Sequence, residues 1–265
     1  MTRSARCRES GLSLIELIIA LALSGLLAAA IAGGIARPLQ ALLESGERGG
    51  WSVQGARVLE VLAAELESAL PHSIRIGCGG QCLEFLRVLD YGEYRGDTPG
   101  DPLDFAATDS SFDVVPPLAS APTPGTFVFV NAASADTVAP QGAYASGAAS
   151  PRGTIVAGAS AGTLQFAPKQ FPSPSPTQRF YLVDGAVSYL CSPQAVGGTL
   201  RRRDGYGILA AQPGNPALGA LLADDVIDCR FRLLAPDMLA VELRFGRGTL
   251  PPISVFAQFG PRLRQ

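Results

Sequence analysis

The distribution of apolar residues divides the chain into three parts. Residues 17–36 contain no charged side chain, and a run of this length can cross the hydrocarbon core of a bilayer as one helix. Arg37 and Pro38 follow, where we expect a kink, and glycines at 46, 49 and 50 are expected to loosen the helix further. Beyond Val53 an amphipathic helix is predicted, because apolar side chains recur at helical spacing. They are Leu59, Leu62, Leu66 and Ala69.

That amphipathic helix is predicted to end at Pro71 and to carry its acids, Glu60, Glu65 and Glu67, largely on other faces. After Pro71 the pattern changes to short stretches rich in β-branched and aromatic residues, bounded by Gly, Pro, Asp and Asn. They read SIRIG, CLEFLRVLD, GTFVFVN, GTLQFA, RFYLVDGAVSYLC, VIDCRFRL, LAVELRFG and ISVFAQF.

These stretches predict an antiparallel sheet packed against the helix, which makes the fold class α+β. Between residues 106 and 176 the composition shifts to Ala, Ser, Pro, Gly and Thr, which favours long surface loops. The sequence shows no internal repeat and no clean linker within this region.

Composition and charge exclude some functions. The chain has 265 residues, 47% of them hydrophobic, so it can form a packed core. Its formal net charge of −2 gives no general attraction to nucleic acid. The arginines are scattered except for residues 201–203. These we interpret as a solvated hairpin tip, with lipid headgroups, surface polysaccharide or another subunit as alternative contacts.

The charges before the apolar run predict the orientation of the chain. Arg3, Arg6 and Arg8 precede the run with only Glu9 opposing them, so the positive-inside rule places the N-terminus in the cytoplasm and exports the rest. A secretory signal peptide has a shorter apolar region of roughly 7–15 residues and a small-residue cleavage site. We therefore interpret the run as a retained anchor.

Glu16 lies directly before this run. A carboxylate inside a membrane helix costs about 2.5–3.5 kcal/mol on insertion scales, so it should face a partner and mark a functional site. The alternative is an acid at the start of a helix, stabilised by the helix dipole and without further function.

The residues around Glu16 carry a signature. The stretch RESGLSLIELIIAL contains a basic leader that ends at Gly11, then an apolar residue, and a glutamate four positions after that residue. It resembles the N-terminal signature of type IV prepilins and of the pseudopilins of type II secretion. The resemblance implies cleavage between Gly11 and Leu12 by a prepilin peptidase on the cytoplasmic side, followed by N-methylation of Leu12. Leu12 and Ser13 stand where Phe and Thr are commoner.

Cleavage would give Glu16 a counter-charge. It converts the amide nitrogen of Leu12 into an amine, which is mostly cationic at neutral pH because its ordinary pKa is near 8. Leu12 and Glu16 are one helical turn apart on one face. Our hypothesis is that Glu16 pairs with the Leu12 ammonium of an adjacent subunit during assembly, since an unpaired charge is costly in a low dielectric.

The cysteines predict disulfides. Cys7 would be lost with the leader, which leaves Cys78, Cys82, Cys191 and Cys229, an even number in an exported chain. Three pairings are possible. The tight glycine-rich spacer of CGGQC favours Cys78–Cys82 together with Cys191–Cys229. A zinc site and free thiols are the alternatives, although the C-x-x-x-C spacing is looser than that of a usual zinc knuckle.

Several later stretches resemble a narrower group, the minor pilins of the mannose-sensitive haemagglutinin type known as MshO; PilW minor pilins and pseudopilin J share the general plan. They are ELESALPHSIRI, CLEFLRVLDYGEYRGD, RFYLVDGAVSYLC, RRRDGYGILA and LLADDVIDCRFRL. The resemblance implies a pilin-like fold and a low-abundance subunit that helps to start or cap a pilus. Because Cys191 and Cys229 fall within such stretches, it also supports their pairing.

This resemblance implies a layout and a set of partners. The expected segments are a leader (1–11), a transmembrane helix and assembly segment (12–36), its amphipathic continuation (37–71) and a periplasmic sheet domain (72–265). The expected location is the inner membrane, as a single-pass protein, and then a pilus or pseudopilus. Expected partners are the prepilin peptidase/methyltransferase, other major and minor pilins, the inner-membrane assembly platform and inner-membrane lipid, with no nucleic acid.

No catalytic constellation accompanies the single histidine, His72, which we interpret as a polar loop residue. The sequence therefore predicts no enzyme, no cofactor and no metal site. The sequence also contains two groups of acids. Asp97, Asp101 and Asp104 lack the regular calcium-loop spacing and read as a solvated loop, and Asp224, Asp225 and Asp228 as turn and strand-edge acids.

Overall fold

The computed structural model describes residues 13–138, 140–148, 150–215 and 217–260, without the side chains of 35–37. The chain divides into two compact units, Met1–Gly50 and Trp51–Gln265. The described part of the first unit is almost entirely the first portion of helix α1, Leu14–Leu66. The described part of the second unit contains the last portion of that helix and twelve strands. The strands are β1 (Arg75–Gly77), β2 (Cys82–Glu93), β3 (Asp109–Asp113), β4 (Phe127–Val130), β5 (Arg152–Thr154), β6 (Thr163–Lys169), β7 (Arg179–Ser192), β8 (Thr199–Tyr206), β9 (Ala220–Ala223), β10 (Val226–Ala235), β11 (Met238–Phe245) and β12 (Ile253–Phe259).

Helix α1 is one element of 53 residues. Pro38 lies inside it, and the glycines at 46, 49 and 50 do not end it. The helix ends at Leu66 rather than at Pro71, because the next residues pair with β2. The amide of Val88 donates to the carbonyl of Ser68 at 2.7 Å, and the amide of Leu70 donates to that of Leu86 at 2.8 Å.

Three antiparallel sheets follow. The largest has seven strands and is built around the long strand β7, which pairs with β2 along one side and with β4 and β8 in succession along the other. A second sheet has the order β10-β11-β12, and β3 and β6 form a third. The predicted α+β fold is confirmed. Each of the eight predicted stretches contains a strand, whereas β3, β5, β8 and β9 were not predicted.

The principal core lies between the end of the helix and two sheets. Trp51, Val58 and Leu62 are buried at helical spacing, against the large sheet and the three-stranded sheet. At Gly55 a side chain could not fit, since a Cβ would lie 2.8 Å from the Val255 side chain. The core members contributed by strands include Leu83, Phe85, Val187, Tyr189, Phe231, Val241, Leu243 and Phe245.

The region from 106 to 176 is more structured than its composition predicts. Long loops are present, but the region also supplies most of a second core that packs on β7 at Phe180. Phe112, Phe166 and Phe171 are fully buried there, with ring centroids 5.3–5.7 Å from their neighbours. The small and polar residues between these phenylalanines form turns, so an average over the region hides its apolar contacts.

Candidate assembly site

The first described residues cap the helix. The backbone amide of Ser13 donates to the Glu16 carboxylate at 3.4 Å, and the Ser13 carbonyl accepts from the amides of Glu16 and Leu17 at 3.0 and 3.2 Å. This is the glutamate half of a capping box, with Glu16 in the first turn. Gly11 and Leu12, the predicted cleavage and methylation residues, lie outside the described residues, as does Cys7.

The helix after Glu16 has exposed side chains. Each described side chain from Leu14 to Gly34 is exposed, and the most apolar 18-residue window has a mean hydropathy of 2.5 with none of it buried. By length and composition this segment can cross a membrane. So much exposed apolar surface requires lipid or neighbouring helices around it.

Glu16 is exposed within this apolar surface. The hydrogen bond that its carboxylate accepts among the described residues comes from the Ser13 amide, and a carboxylate can accept several. The carboxylate therefore acts as an N-terminal cap and retains acceptor capacity for a cation.

The helix around Trp51 and Gln54 is fixed by polar contacts at the turn after β9. Asp225 is buried and accepts hydrogen bonds from the Trp51 indole at 3.3 Å and from Arg247 at 2.6 and 3.1 Å. Its neighbour Asp224 accepts from the Gln54 amide at 2.8 Å. Asp225 lies in a turn, as predicted, but the prediction did not include its burial or its contacts with Trp51 and Arg247, which hold the helix against the sheets.

A second polar contact lies one residue before the helix end. The Glu65 carboxylate accepts from Tyr189 Oη and from Arg202 Nε, both at 2.6 Å, and Arg202 also contacts Asp204 at 2.8 Å. Burial and the Glu65 charge raise the pKa of Tyr189, so its hydroxyl remains a donor. Hydrogen bonding and charge from Arg202 lower the pKa of Asp204.

The arginine triplet is therefore not a solvated hairpin tip. All three arginines are half-buried within β8, which pairs with β7 on one side and β9 on the other. Arg201 donates to the Gly219 carbonyl at 2.9 Å, and Arg203 stacks over Tyr206 at 4.8 Å. The long aliphatic stems allow these residues to occupy strand positions while their head groups find partners. The same geometry corrects the prediction for Glu65, which faces the sheet.

The buried ion pair between Glu84 and Arg75 was not predicted from the sequence. Glu84 on β2 is fully buried, and its carboxylate contacts Arg75 at 2.7 Å and Tyr206 Oη at 3.1 Å. Arg75 also donates to the carbonyls of Leu209 and Ala210, and it stacks over Tyr144 at 3.6 Å. Burial raises the pKa of Glu84 although Arg75 opposes the shift. The alternation of β2 places Glu84 on the face opposite Leu83 and Phe85, and this was the available signal.

Both expected disulfides are present. Cys78 bonds Cys82 across a single 3-10 turn, and Cys191 at the end of β7 bonds Cys229 in β10. The second bridge joins the large sheet to the three-stranded sheet, and Cys191 and Cys229 are buried in the principal core. It therefore ties together the two surfaces on which the helix end packs.

His72 contacts a single acid, Asp237 in the turn between β10 and β11, with 2.9 Å between Nδ1 and Oδ2. Its backbone amide donates to the same carboxylate. Asp101 and Asp104 accept hydrogen bonds from Ser111 and from the amides of their own loop. Across the described parts of the chain, no group of three or more His, Cys, Asp or Glu residues is placed to hold a metal ion.

Comparison with known proteins bears on the N-terminus. A family model described as the prokaryotic N-terminal methylation motif matches residues 6–32. A search of curated proteins and a search of solved structures found no significant match. The matched range contains Gly11, Leu12 and Glu16, so the chain carries the type IV pilin signal that prepilin peptidase processes. This signal is typical of structural subunits rather than enzymes, and together with the apolar helix it fits a single-pass membrane-anchored protein.

Proposed function

We propose that this protein is a minor pilin that takes part in assembly of a type IV pilus of the mannose-sensitive haemagglutinin type, where it primes or caps the fibre. The observation that carries the proposal is the methylation motif over residues 6–32, followed directly by a bare apolar helix with Glu16 in its first turn. An exposed apolar helix is the element through which such subunits can pack side by side.

The sheet domain supports the narrower part of the proposal. Of the five stretches that resemble MshO-type pilins, the first runs from the helix end into β1, and the other four contain β2, β7, β8 and the segment from β9 to β10. These elements supply the surfaces that hold the helix end, including Glu65's partners Tyr189 and Arg202 and the turn at Asp225. The residues that carry the resemblance therefore include those that hold the last portion of the helix against the sheets.

The layout follows from this function. Residues 1–11 are the leader, 12–36 span the inner membrane and mediate assembly, 37–66 continue the helix, 67–71 lead into the sheets, and 72–265 form the periplasmic domain. Prepilin peptidase cleaves after Gly11 and methylates Leu12. Other pilins, the inner-membrane assembly platform and membrane lipid are then the partners.

Mass spectrometry of the mature N-terminus tests the processing. We expect a chain that begins with N-methylated Leu12, and a Gly11→Ala variant should accumulate with the leader attached because the peptidase no longer recognises it. Retention of Met1 in the parent chain would contradict the proposal and indicate an ordinary anchored protein.

A deletion strain tests the assembly role. If the protein primes or caps pili, its loss should reduce the number or length of fibres. Normal fibres together with lost protein secretion would instead support the type II pseudopilin alternative, since the same leader serves both systems.

A surface-binding module is a second candidate, favoured by a cavity of about 620 Å³ in the sheet domain. The cavity is lined in part by the apolar residues Leu66 and Leu239. Its lining also includes Tyr91, Tyr181 and Arg179. Normal fibres combined with lost surface adhesion in the deletion strain would favour this function over assembly.

A further inference from the structure

The three-stranded sheet has two edges with opposite character. Along β10 the pairing with β11 is irregular at two places, and the strand carries the charged residues Asp228, Arg230 and Arg232. The amide of Val226 donates to the Gly198 carbonyl, so the start of this edge is also covered. Irregular pairing and charge are the usual devices that keep an edge strand from pairing with another chain.

The other edge, β12, has none of these devices. Its sequence ISVFAQF contains no charge and no proline, and its pairing with β11 runs from Ile253 to Phe259 without a register shift. Phe256, at its centre, has 60% of its surface exposed. Within the described part of the chain, no backbone hydrogen bond is made on the outer side of β12.

The remaining edge strands are short, carry charged residues or are covered by another segment, and each of these features discourages pairing with another chain. β1 and β5 have three residues each, and β9 has four. β3 begins and ends with aspartate, and β6 contains Pro168 and Lys169 and is bridged by Ile155. A regular, uncharged edge of seven residues is therefore an exception within this molecule.

We propose that β12 pairs in antiparallel orientation with β12 of a second copy of this chain, with Phe256 opposite Phe256. An antiparallel pair of identical strands has two-fold symmetry and closes as a dimer. Unpaired backbone amides and carbonyls are satisfied by another extended strand, which is the mode of β-strand addition. The two sheets then join into one of six strands.

The side chains of β12 fit this register. Around Phe256, Val255 faces Ala257 of the second copy, Ser254 faces Gln258, and Ile253 faces Phe259. Apolar residues thus meet apolar residues, two polar residues meet each other, and no like charges are opposed. The exposed Phe256 gains an aromatic partner across the symmetry axis.

This inference stands independently of the proposed function, because it rests on the sheet alone. The test uses the full chain in native membranes, in a Cys7→Ser background, with a short thiol-specific crosslinker. Opposed Cβ atoms in such a pair lie about 4.5–5.5 Å apart, so a Phe256→Cys variant should crosslink to a dimer. The matched control is Arg232→Cys at an exposed position on the opposite edge, β10, which should remain monomeric.

A mixed experiment tests the register. Ser254→Cys and Gln258→Cys should crosslink when the two variants are co-expressed and not when each is expressed alone, since identical positions then lie about 14 Å apart. Similarly, Phe256→Lys should abolish the Phe256-dependent dimer measured by co-purification of two differently tagged copies. Co-expression of Phe256→Lys with Phe256→Glu should restore it.

The melting temperature of each variant checks that the domain folds, and the exposure of Phe256 makes its substitution tolerable. Absence of the Phe256→Cys dimer in folded protein overturns the proposal, as does equal crosslinking of Arg232→Cys. A crosslink from Phe256→Cys to a different protein overturns it as well, because the edge would then belong to another partner.

Discussion

The two portions of helix α1 meet their surroundings in opposite ways. Before Gly50 the described side chains are exposed, and the apolar ones outnumber the polar ones. From Trp51 onward one stripe of the helix is buried against two sheets, and its polar residues contact partners in the chain, as Glu65 does with Tyr189 and Arg202. One continuous helix thus exposes its apolar side chains in its first portion and contributes buried side chains to a core in its last portion.

The carboxylates show the same contrast. Glu84 is fully buried and finds Arg75 and Tyr206 within its own unit. Glu16 is exposed and among the described residues accepts a bond from its own helix start alone. Glu84 thus has its partners within the sheet domain, whereas the Glu16 carboxylate retains acceptor capacity, which we propose another subunit meets. This difference is what the following predictions test.

The largest effect is expected at the buried ion pair. Glu84→Ala should lower the free energy of unfolding of the sheet domain by about 3–5 kcal/mol, because it leaves Arg75 uncompensated. Glu84→Gln should cost less, since its amide oxygen still accepts from Arg75. Chemical denaturation in detergent measures both, and similar losses for the two variants would argue against the ion pair.

The ionisation of Glu84 also gives a pH dependence. Burial raises the pKa of Glu84 in the folded state, so the folded state holds this proton more tightly than the unfolded chain does. The corresponding stability is present below the unfolded pKa and is lost as pH rises through the folded pKa. Glu84→Gln should remove that part of the pH profile.

The disulfides rank next. Cys191→Ser with Cys229→Ser should destabilise the domain by about 4 kcal/mol, because this bridge closes the long loop. The matched double variant, Cys78→Ser with Cys82→Ser, removes a bridge that closes only a short loop, so it should lower the free energy of unfolding by about 2 kcal/mol. Melting temperature and the amount of folded protein measure the difference. An unchanged melting temperature without the Cys191–Cys229 bridge would show that it is dispensable.

A pair of leucine substitutions compares the two portions of the helix directly. Leu62→Ala removes a fully buried side chain and should cost about 3 kcal/mol. Leu27→Ala, at a position 63% exposed, should leave the stability of the sheet domain unchanged within about 0.5 kcal/mol. Equal losses at the two positions would show that the first portion of the helix is also packed within the chain.

A smaller effect is expected at Glu65. Glu65→Gln weakens two charge-assisted hydrogen bonds and should cost about 1–2 kcal/mol. Glu60 is exposed on the same helix, so Glu60→Gln is the matched control and should have no measurable effect. Denaturation curves for the two variants make the comparison; a larger loss at Glu60 would contradict the assigned contacts.

The sequence predicts the strongly periodic elements well. The apolar helix, the buried stripe at Leu62 and the strands with alternating aromatic and β-branched residues follow from local pattern. Strand β8 does not, because three consecutive arginines read as exposed, and two of their partners, Gly219 and Glu65, lie 18 and 137 positions away in sequence.

The polar contacts within the sheet domain could not be predicted from local sequence patterns, because they join residues that are far apart in the sequence. Asp225 is separated from Trp51 by 174 positions, and nothing nearby in sequence distinguishes it from an ordinary turn acid. At the candidate site the opposite holds. The leader, Gly11, Leu12 and Glu16 form one short contiguous signature, so the sequence alone identifies them.

The most direct test of the account is the incorporation of a Glu16→Ala variant into purified filaments. This substitution should not change insertion into the membrane, cleavage after Gly11 or the stability of the sheet domain, because Glu16 belongs to the other compact unit of the chain. Its incorporation should nevertheless fall strongly, while Glu44→Ala, an exposed acid further along the same helix, should incorporate like the parent. Normal incorporation of Glu16→Ala would contradict the claim that this carboxylate pairs with the amine released by cleavage.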